Sequence, residues 1–448
     1  MRYLVIFSVF FSSLFASPAF AHEDLTGWLS ELKQEAINEG INEKTASAIV
    51  NHVEILPNII ELDRSQPEFI SPFLDYYQKR VDTLKIMEGR KLLVQHADLL
   101  NKIEAQYGIP KALLVAFWGM ETNYGRDQGN IDTLSALATL AYDGRRASFF
   151  RNQLIDAMRM VDAGNASTEQ FVGSWAGAFG NMQFMPTTFI TYAVDGDGDK
   201  KIDIINSQAD AFASAANYLS QVGWQKGQPV MVEVQLPVDF EWQNAQYTLR
   251  KPVSEWRKLG VNLMQAGNLP ASGRLMQVRS ASKKIKTKKR LLNLHQINFT
   301  TKNVTAPFAR TQTLDAIKSA LPNISGQAAI VLPQGWRGPA FMVFDNFDVV
   351  MDWNRSINYA LSVVQLAKRL NGESHILGGQ FAELGALSFL QMKTLQTELN
   401  NHGYEAGEPD GFPGIHTQEA VRTFQLAQHL PADGYASPDI LNYLKALQ

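Results

Sequence analysis

A chain of 448 residues with 45% hydrophobic and 19% charged residues is composed like a globular protein, which excludes a largely disordered chain. Its length suggests about two or three domains. A formal net charge of −3 gives no global basic field for nucleic acid, and the absence of cysteine excludes disulfides and a lipoprotein anchor, so stability must come from the core.

The N-terminus, MRYLVIFSVFFSSLFASPAFAHEDL, has a one-residue positive region at Arg2, an apolar run over residues 3–15 and the small-x-small triplet Ala19-Phe20-Ala21. This predicts a cleavable signal peptide over residues 1–21, with His22 as the first mature residue. No later run approaches the ~20 apolar residues of a membrane span. A bacterial periplasm follows as the expected location; an uncleaved N-terminal anchor is the alternative.

Residues 22–225 read mostly as helices. Leu92, His96, Leu99, Ile103 and Tyr107 recur at helical spacing before Gly108 and Pro110. Pro110 can open the next helix, KALLVAFWGMET, which ends near Gly125. Asp132 and Ser207 read as N-caps of later helices. Residues 226–355 change character: QPVMVEVQLP and AFMVFDNFDVVMDW are β-rich, and six Lys/Arg fall between Lys283 and Arg290. That basic run reads as a solvated loop, with contact to an anionic polymer or a membrane surface as the alternative. SINYALSVVQLAKRLNG returns to helix, with Tyr359, Val363, Leu366 and Leu370 in register. The Gly-rich stretch around 376–384 reads as a linker. Residues 385–448 form a small unit of three helices, the first over Ser388–His402, the second capped by Thr417 and the third by Ser437 with Pro438 at its first position.

Three stretches can carry chemistry. Glu121 ends an apolar helix beside Trp118 and Met120. An apolar wall and the negative end of a helix dipole both raise a carboxyl pKa, as a general acid needs; a carboxylate capped by Arg126 or solvent is the plainer alternative. GSWAGAFGNMQFMP, residues 173–186, spaces glycines so that backbone can approach a ligand, with Ser174 and Gln183 offering a hydroxyl and an amide; a structural turn is equally compatible. DGDGDKKIDIIN, residues 195–206, places Asp195, Asp197 and Asp199 at positions 1, 3 and 5 of an EF-hand-like loop. Lys200 replaces the glycine of position 6 and Asn206 the bidentate Glu of position 12. No GxSxG, Walker-type, HExxH or GxGxxG pattern competes.

Together WGMETNYGR, LSALATLAYDGRR, GSWAGAFGNMQFMPTTFITYAVDGDGDKKIDI, ANYLSQVGW and NFDVVMDWNRSINYALSVVQLAKRLNG resemble the lytic transglycosylase B family of bacterial peptidoglycan enzymes, over roughly residues 25–265 and 325–372. The stretch from about 268 to 322 does not fit the family pattern. LQTELNNHGYEAGEPDGFPGIHTQEAVRTFQ resembles the three-helix peptidoglycan-binding domain. The resemblance implies an α+β, mainly helical fold: a lysozyme-like catalytic domain over 22–375, with a small β-rich and inserted region at about 226–350, followed by the linker 376–384 and the binding domain 385–448.

It also implies Glu121 as the single acid/base, with Ser174, Gln183, Asn354 and Tyr359 as substrate-binding positions. Trp353 stands where the family often has Tyr and is assigned a surface for a sugar ring, while either Tyr76 or Tyr77 supplies a further active-site tyrosine. The implied reaction cleaves the bond between N-acetylmuramic acid and N-acetylglucosamine without water, leaving a 1,6-anhydro end. A muramidase that uses water and a non-catalytic wall-binding scaffold are the rival readings; Asp127, Asp132 and Asp143 are candidate second acids by position in the sequence only. No cofactor is required, and a Ca or Na ion at Asp195, Asp197 and Asp199 is the candidate metal. Expected partners are peptidoglycan glycan strands and other cell-wall enzymes, not nucleic acid, with a monomeric chain.

Overall fold

The computed structural model describes residues 25–65, 71–169, 171–264, 321–379 and 385–447. The signal segment 1–21, the basic run at 283–290 and linker residues 380–384 lie outside the described residues. The chain divides into two compact units: one of residues up to Arg64 with Gly129–Phe179 and Met185–Ile190, the other of Ser65–Gln128, Gly180–Phe184 and Thr191 onward.

The first unit is helical. In the Thr133–Tyr142 helix every residue from Thr133 to Ala141 is buried, because TLSALATLA offers only small or apolar side chains to neighbours on all sides. Two of its three buried hydroxyls accept from backbone: Ser135 Oγ from Glu54 N at 3.0 Å and Thr139 Oγ1 from Leu56 N at 2.9 Å. Asp132 caps this helix as expected, accepting from Ser135 N at 2.6 Å. Two short strands, β1 (Ile131–Asp132) and β2 (Val172–Gly173), pair antiparallel. Helices Glu43–His52 and Ala147–Asp162 pack within this unit.

The second unit combines helices, a sheet and the C-terminal module. Strands β3 (Met231–Gln235), β4 (Lys251–Pro252), β5 (Asn262–Leu263), β6 (Gln327–Val331) and β7 (Ala340–Val343) form an antiparallel sheet in the order β4-β6-β7-β3-β5. Its core gathers around Trp256, which is fully buried and donates its indole N–H to Ala328 O at 2.8 Å. A buried tryptophan needs such a partner.

Local structure departs from the sequence expectation at three places. The helical run through His96 is two helices, Thr83–Gln95 and Ala97–Tyr107, because His96 leaves helical geometry at φ −103°, ψ 21°. The buried register then jumps from Leu92 to Leu100 and Ile103, leaving Leu99 part exposed. The β-rich reading of AFMVFDNFDVVMDW holds only for β7: Phe344, at φ −115°, ψ −178°, starts a helix over Asp345–Trp353. Hydrophobic spacing there, with Phe347 and Val350 buried, fits a helix better than alternation does. In the C-terminal module Gly414, not Thr417, is the N-cap of the Ile415–Ala427 helix; Thr417 is buried and accepts from Gln396 Nε2 at 3.0 Å.

The module has its own core, including Leu395, Leu399, Val421, Phe424 and Leu444, and it is docked. Asp433 is 9% exposed. Its Oδ1 accepts from Gln425 Nε2 at 2.7 Å and Tyr435 N at 2.9 Å, and its Oδ2 from Trp336 N at 2.8 Å in the turn between β6 and β7. Arg337 pairs with Asp439 at 3.3 Å. From the same turn, Gln334 Oε1 accepts from Leu74 N, near the start of the Phe73–Arg80 helix, at 3.0 Å.

Candidate active site

The Lys111–Thr122 helix is unusual in that every residue from Ala112 to Met120 is buried, as is Thr122, while Glu121 between them is half-buried. A helix apolar on all faces belongs to a core; here its only break before the last residue is a carboxyl. Gly119 permits the close packing that follows: a Cβ there would lie 2.7 Å from the ring of Tyr124. The helix ends abruptly, with Asn123, Tyr124 and Gly125 all at positive φ (50°, 63° and 80°). Those strained residues are held from several sides. Tyr124 donates its hydroxyl to Lys85 O at 2.7 Å, and Lys85 Nζ donates to Gly119 O at 2.7 Å. Burial, then the nearby Arg80, holds the Lys85 ammonium below its usual range. Buried Asn181 completes the clamp: it accepts from Trp118 Nε1 at 2.9 Å and donates to Ile205 O at 2.8 Å, and its carbonyl accepts from Thr122 Oγ1 at 2.8 Å.

Two other elements reach Glu121. The Ile357–Leu370 helix, capped by Ser356, packs against the Lys111–Thr122 helix and carries Tyr359, whose hydroxyl donates to Glu121 Oε1. Burial, then the neighbouring Glu121 carboxyl, pushes the Tyr359 phenol well above its usual value, so it remains a donor. Trp353, the last residue of the Asp345–Trp353 helix, donates its indole N–H to the same Oε1 at 2.9 Å. Its ring is enclosed by Phe117 at 4.4 Å, Tyr218 at 5.3 Å and Phe184 at 5.5 Å between centroids.

The other expected residues divide between the units. Gln183 sits at φ 50° and donates to Gln128 O at 3.0 Å and Gly180 O at 3.1 Å; the following Phe184 carries the QFMP stretch to Trp353. Asn354 Oδ1 accepts from Ser356 N at 3.2 Å. Of the adjacent tyrosines, Tyr76 lies in the electrostatic environment of Tyr359, with the Arg80 guanidinium 5.7 Å from its ring centroid. Tyr77 points elsewhere, stacked on Phe73 and bonded to Gln365. Ser174 belongs to the first unit, where its Oγ accepts from Ala178 N at 3.1 Å and closes its own turn. Among the candidate second acids, Asp132 is occupied by its cap and by His52 at 3.1 Å. Asp127 accepts from Asn123 Nδ2 at 3.1 Å.

At the acidic loop, the carboxylates that converge within 4.8 Å are Asp195, Asp197 and Asp210. Asp199 is replaced in that group by Asp210, which arrives from the first turn of the Gln208–Gln221 helix, while Asp199 Oδ1 accepts from Lys201 N at 2.7 Å. The loop supplies its own donors: Asp195 accepts from Gly198 N at 2.6 Å and Lys200 N at 2.8 Å, and Asp210 from Gly196 N and Asp203 N, both at 2.7 Å. These N–H groups, first that of Lys200, hold the Asp195 carboxyl below its usual range, whereas burial raises that of Asp210. Asn206 turns its amide N–H toward Asp203 at 2.9 Å instead of offering two oxygens. The donor set therefore fits a bidentate calcium loop poorly.

Sequence reasoning missed Asn181, Lys85 and Asp210. Asn181 was visible as one of two amides, with Gln183, in an apolar stretch; nothing in the sequence pairs Lys85 with Gly119, or Asp210 with a loop more than ten residues earlier.

The profile of the transglycosylase SLT domain matches residues 24–302 and 283–368, and that of a peptidoglycan binding domain matches residues 390–444. Membrane-bound lytic murein transglycosylase B of Escherichia coli (strain K12) is 37% identical over 161 residues, covering 36% of this chain and 44% of the relative, so the match spans less than half of that protein. The crystal structure of SltB3 from Pseudomonas aeruginosa in complex with NAG-anhNAM-pentapeptide is 36% identical, with a TM-score of 0.78, covering 94% of this chain and 100% of that one. The Escherichia coli lytic transglycosylase Slt35 in complex with bulgecin A, at 24% identity and a TM-score of 0.58 over 77% of this chain and 92% of its own, shares the fold. The chain belongs to the family of peptidoglycan lytic transglycosylases built on the transglycosylase SLT domain, with a peptidoglycan-binding domain at its C-terminal end.

Proposed function

We propose that the protein acts in the periplasm as a lytic transglycosylase that cleaves the β-1,4 bond between N-acetylmuramic acid and N-acetylglucosamine, with Glu121 as acid and then base. The observation that carries this reading is the half-buried Glu121 carboxyl at the end of an otherwise buried helix, bonded by two donors at one oxygen. Ordinary glycosidases need two carboxylates. In the proposed reaction a proton passes from Glu121 to the glycosidic oxygen as the bond from C1 of N-acetylmuramic acid breaks. The substrate's own N-acetyl group stabilises the developing cation. The C6 hydroxyl of the same sugar attacks C1, and its proton returns to Glu121. No water is consumed, the enzyme ends in its starting protonation state, and the product is a 1,6-anhydro sugar. An intramolecular nucleophile has the effective-molarity advantage of a group already in place.

Gln183, Asn354 and Ser174 are the proposed contacts to N-acetyl groups and sugar hydroxyls, and Tyr76 the further tyrosine of the site. The loop at Asp195, Asp197 and Asp210 takes no part in any step. Peptidoglycan glycan strands are the partner of the C-terminal module. The anhydro sugar in the SltB3 complex and the apolar, signal-like N-terminus support this reading. Among the described residues no helix is long and apolar enough to cross a membrane. The test is Glu121→Gln: cleavage of sacculi, followed by turbidity, is lost while sedimentation with sacculi is retained. Near-normal cleavage by the variant would refute the assignment.

A further inference from the structure

We infer that the turn Asp410-Gly411-Phe412 of the C-terminal module is a recognition site for the stem peptides of peptidoglycan, taking at Asp410 Oδ2 the backbone N–H that follows a D-residue. This rests on the reading of the module as a peptidoglycan binder and adds the peptide to the glycan strand as its ligand.

The module carries the same turn twice. Each copy is a helical Gln, an Asp-Gly-aromatic turn and a following helix: Gln396 with Asp410-Gly411-Phe412, and Gln425 with Asp433-Gly434-Tyr435. The bonds match one for one. Gln396 Nε2 donates to Asp410 Oδ1 at 2.9 Å, and Gln425 Nε2 to Asp433 Oδ1 at 2.7 Å. Gly411 N and Gly434 N each donate back to the Oε1 of their Gln at 2.8 Å. Phe412 N and Tyr435 N each donate to the Oδ1 of their Asp at 2.9 Å. Both glycines sit at positive φ, 87° and 73°, which a glycine adopts without strain. In each copy Oδ1 is spent on the turn and Oδ2 is left over from it.

The second copy shows what the leftover oxygen can hold. Asp433 Oδ2 accepts from Trp336 N at 2.8 Å. The residue before that N–H is Gly335 at φ 68°, where a Cβ would lie 2.8 Å from Asp433 Oδ2 and 3.1 Å from Tyr435 Cβ. The second turn therefore holds a peptide amide that follows a left-handed residue without an L side chain. An L-residue resists that conformation; a D-residue favours it and carries its side chain on the opposite side of the backbone. In the first copy Asp410 is exposed, and its Oδ2 accepts no bond from the described residues. Stem peptides supply D-alanyl residues with an amide N–H after them. The N-acetyl N–H of a sugar is the other donor in the polymer, but no D-residue precedes it.

The surroundings of the first copy suit such a peptide. Phe412 meets Phe389 edge-on at 5.6 Å, and the Lys393 ammonium stands 4.9 Å from the centre of the Phe389 ring. Leu390, next to Phe389, is 73% exposed, and Ile415, three residues after Phe412, is 65% exposed. Apolar side chains beside an acceptor match alanyl methyl groups, and a lysine matches a peptide carboxylate.

The experiment is isothermal titration calorimetry of the full chain with three probes: a stem pentapeptide ending in D-alanyl-D-alanine, its all-L isomer and a peptide-free N-acetylglucosamine oligomer. The variant is Asp410→Asn, which keeps an oxygen for Gln396 and Phe412 and turns the second acceptor into a donor. The pentapeptide binds wild type about tenfold or more tightly than it binds Asp410→Asn, because a charged acceptor is lost. It also binds wild type about tenfold more tightly than the all-L isomer does, while the oligomer binds both proteins alike. Equal affinity of the two proteins for the pentapeptide, equal affinity of wild type for the two isomers, or a loss confined to the oligomer overturns the inference. Hydrogen exchange of wild type carries the test if Asp410→Asn does not fold: the pentapeptide slows exchange at residues 408–414, and an unchanged rate there overturns the inference. Sedimentation with sacculi after removal of residues 385–448 tests the underlying reading separately, since undiminished binding removes the module's role whatever the peptide does.

Discussion

Asp433→Ala separates a docked C-terminal module from a tethered one. In the folded chain the Asp433 carboxylate is the shared acceptor of three donors: Gln425 Nε2 at 2.7 Å, Trp336 N at 2.8 Å and Tyr435 N at 2.9 Å. The substitution leaves these groups without that acceptor, at roughly 1–3 kcal/mol for each one that water cannot reach. Part of this is offset, since the wild-type carboxylate is itself costly to bury, and burial holds its pKa above the usual carboxylate range. A net loss of about 2–4 kcal/mol follows. For a unit of about 60–100 residues each kcal/mol is worth about 4–8 °C, so the module's transition drops by roughly 8–32 °C in scanning calorimetry. The pH dependence supplies a second signature. A carboxyl whose folded pKa is raised contributes stability that is present below its unfolded value of about 3.9 and is lost as pH rises through the folded value. The wild-type module therefore melts lower as pH rises across that window, and Asp433→Ala loses that slope. A shift below about 3 °C together with an unchanged slope would refute the docking argument and return the module to a tether.

Removing residues 385–448 weakens sedimentation with sacculi while cleavage of short glycans continues, and the remainder melts lower because the turn at Trp336 loses its carboxylate partner; unchanged sacculus binding would contradict the module's role. Gly119→Ala places a methyl 2.7 Å from the Tyr124 ring, so it costs about 1–3 kcal/mol in chemical denaturation and reduces turnover through the helix end that carries Glu121. Asp210→Ala takes the acceptor from Gly196 N and Asp203 N and costs about 1–3 kcal/mol, seen as a lower Tm and faster proteolysis within 195–206.

The helices most legible in the sequence were those with a cap and a period together. Asp132, Ser207 and Ser437 each accept from the backbone N–H of the residue three positions on. Where one signal conflicted with another, the reading failed. His96 sits in register with its neighbours by spacing, yet its ring packs against Trp118 and Phe212 and its backbone breaks the helix. The run after β7 is rich in Val and Phe, which favour strands, but its burial repeats at helical spacing.

At the site, the carboxyl in an apolar run was readable because an acid there needs a reason. The clamp around it was not: Asn181 and Lys85 meet the Glu121 helix across separations of tens of residues, and such pairing depends on tertiary packing alone. The bond from the Trp353 indole N–H to Glu121 likewise joins residues 232 positions apart.

The central claim is that one carboxyl and an intramolecular hydroxyl cleave the glycan without water. Mass spectrometry of the products released from purified sacculi tests it most directly. The account predicts muropeptides ending in 1,6-anhydro-N-acetylmuramic acid from the wild type and none from Glu121→Gln. Products heavier by one water, with a free reducing end, would contradict it.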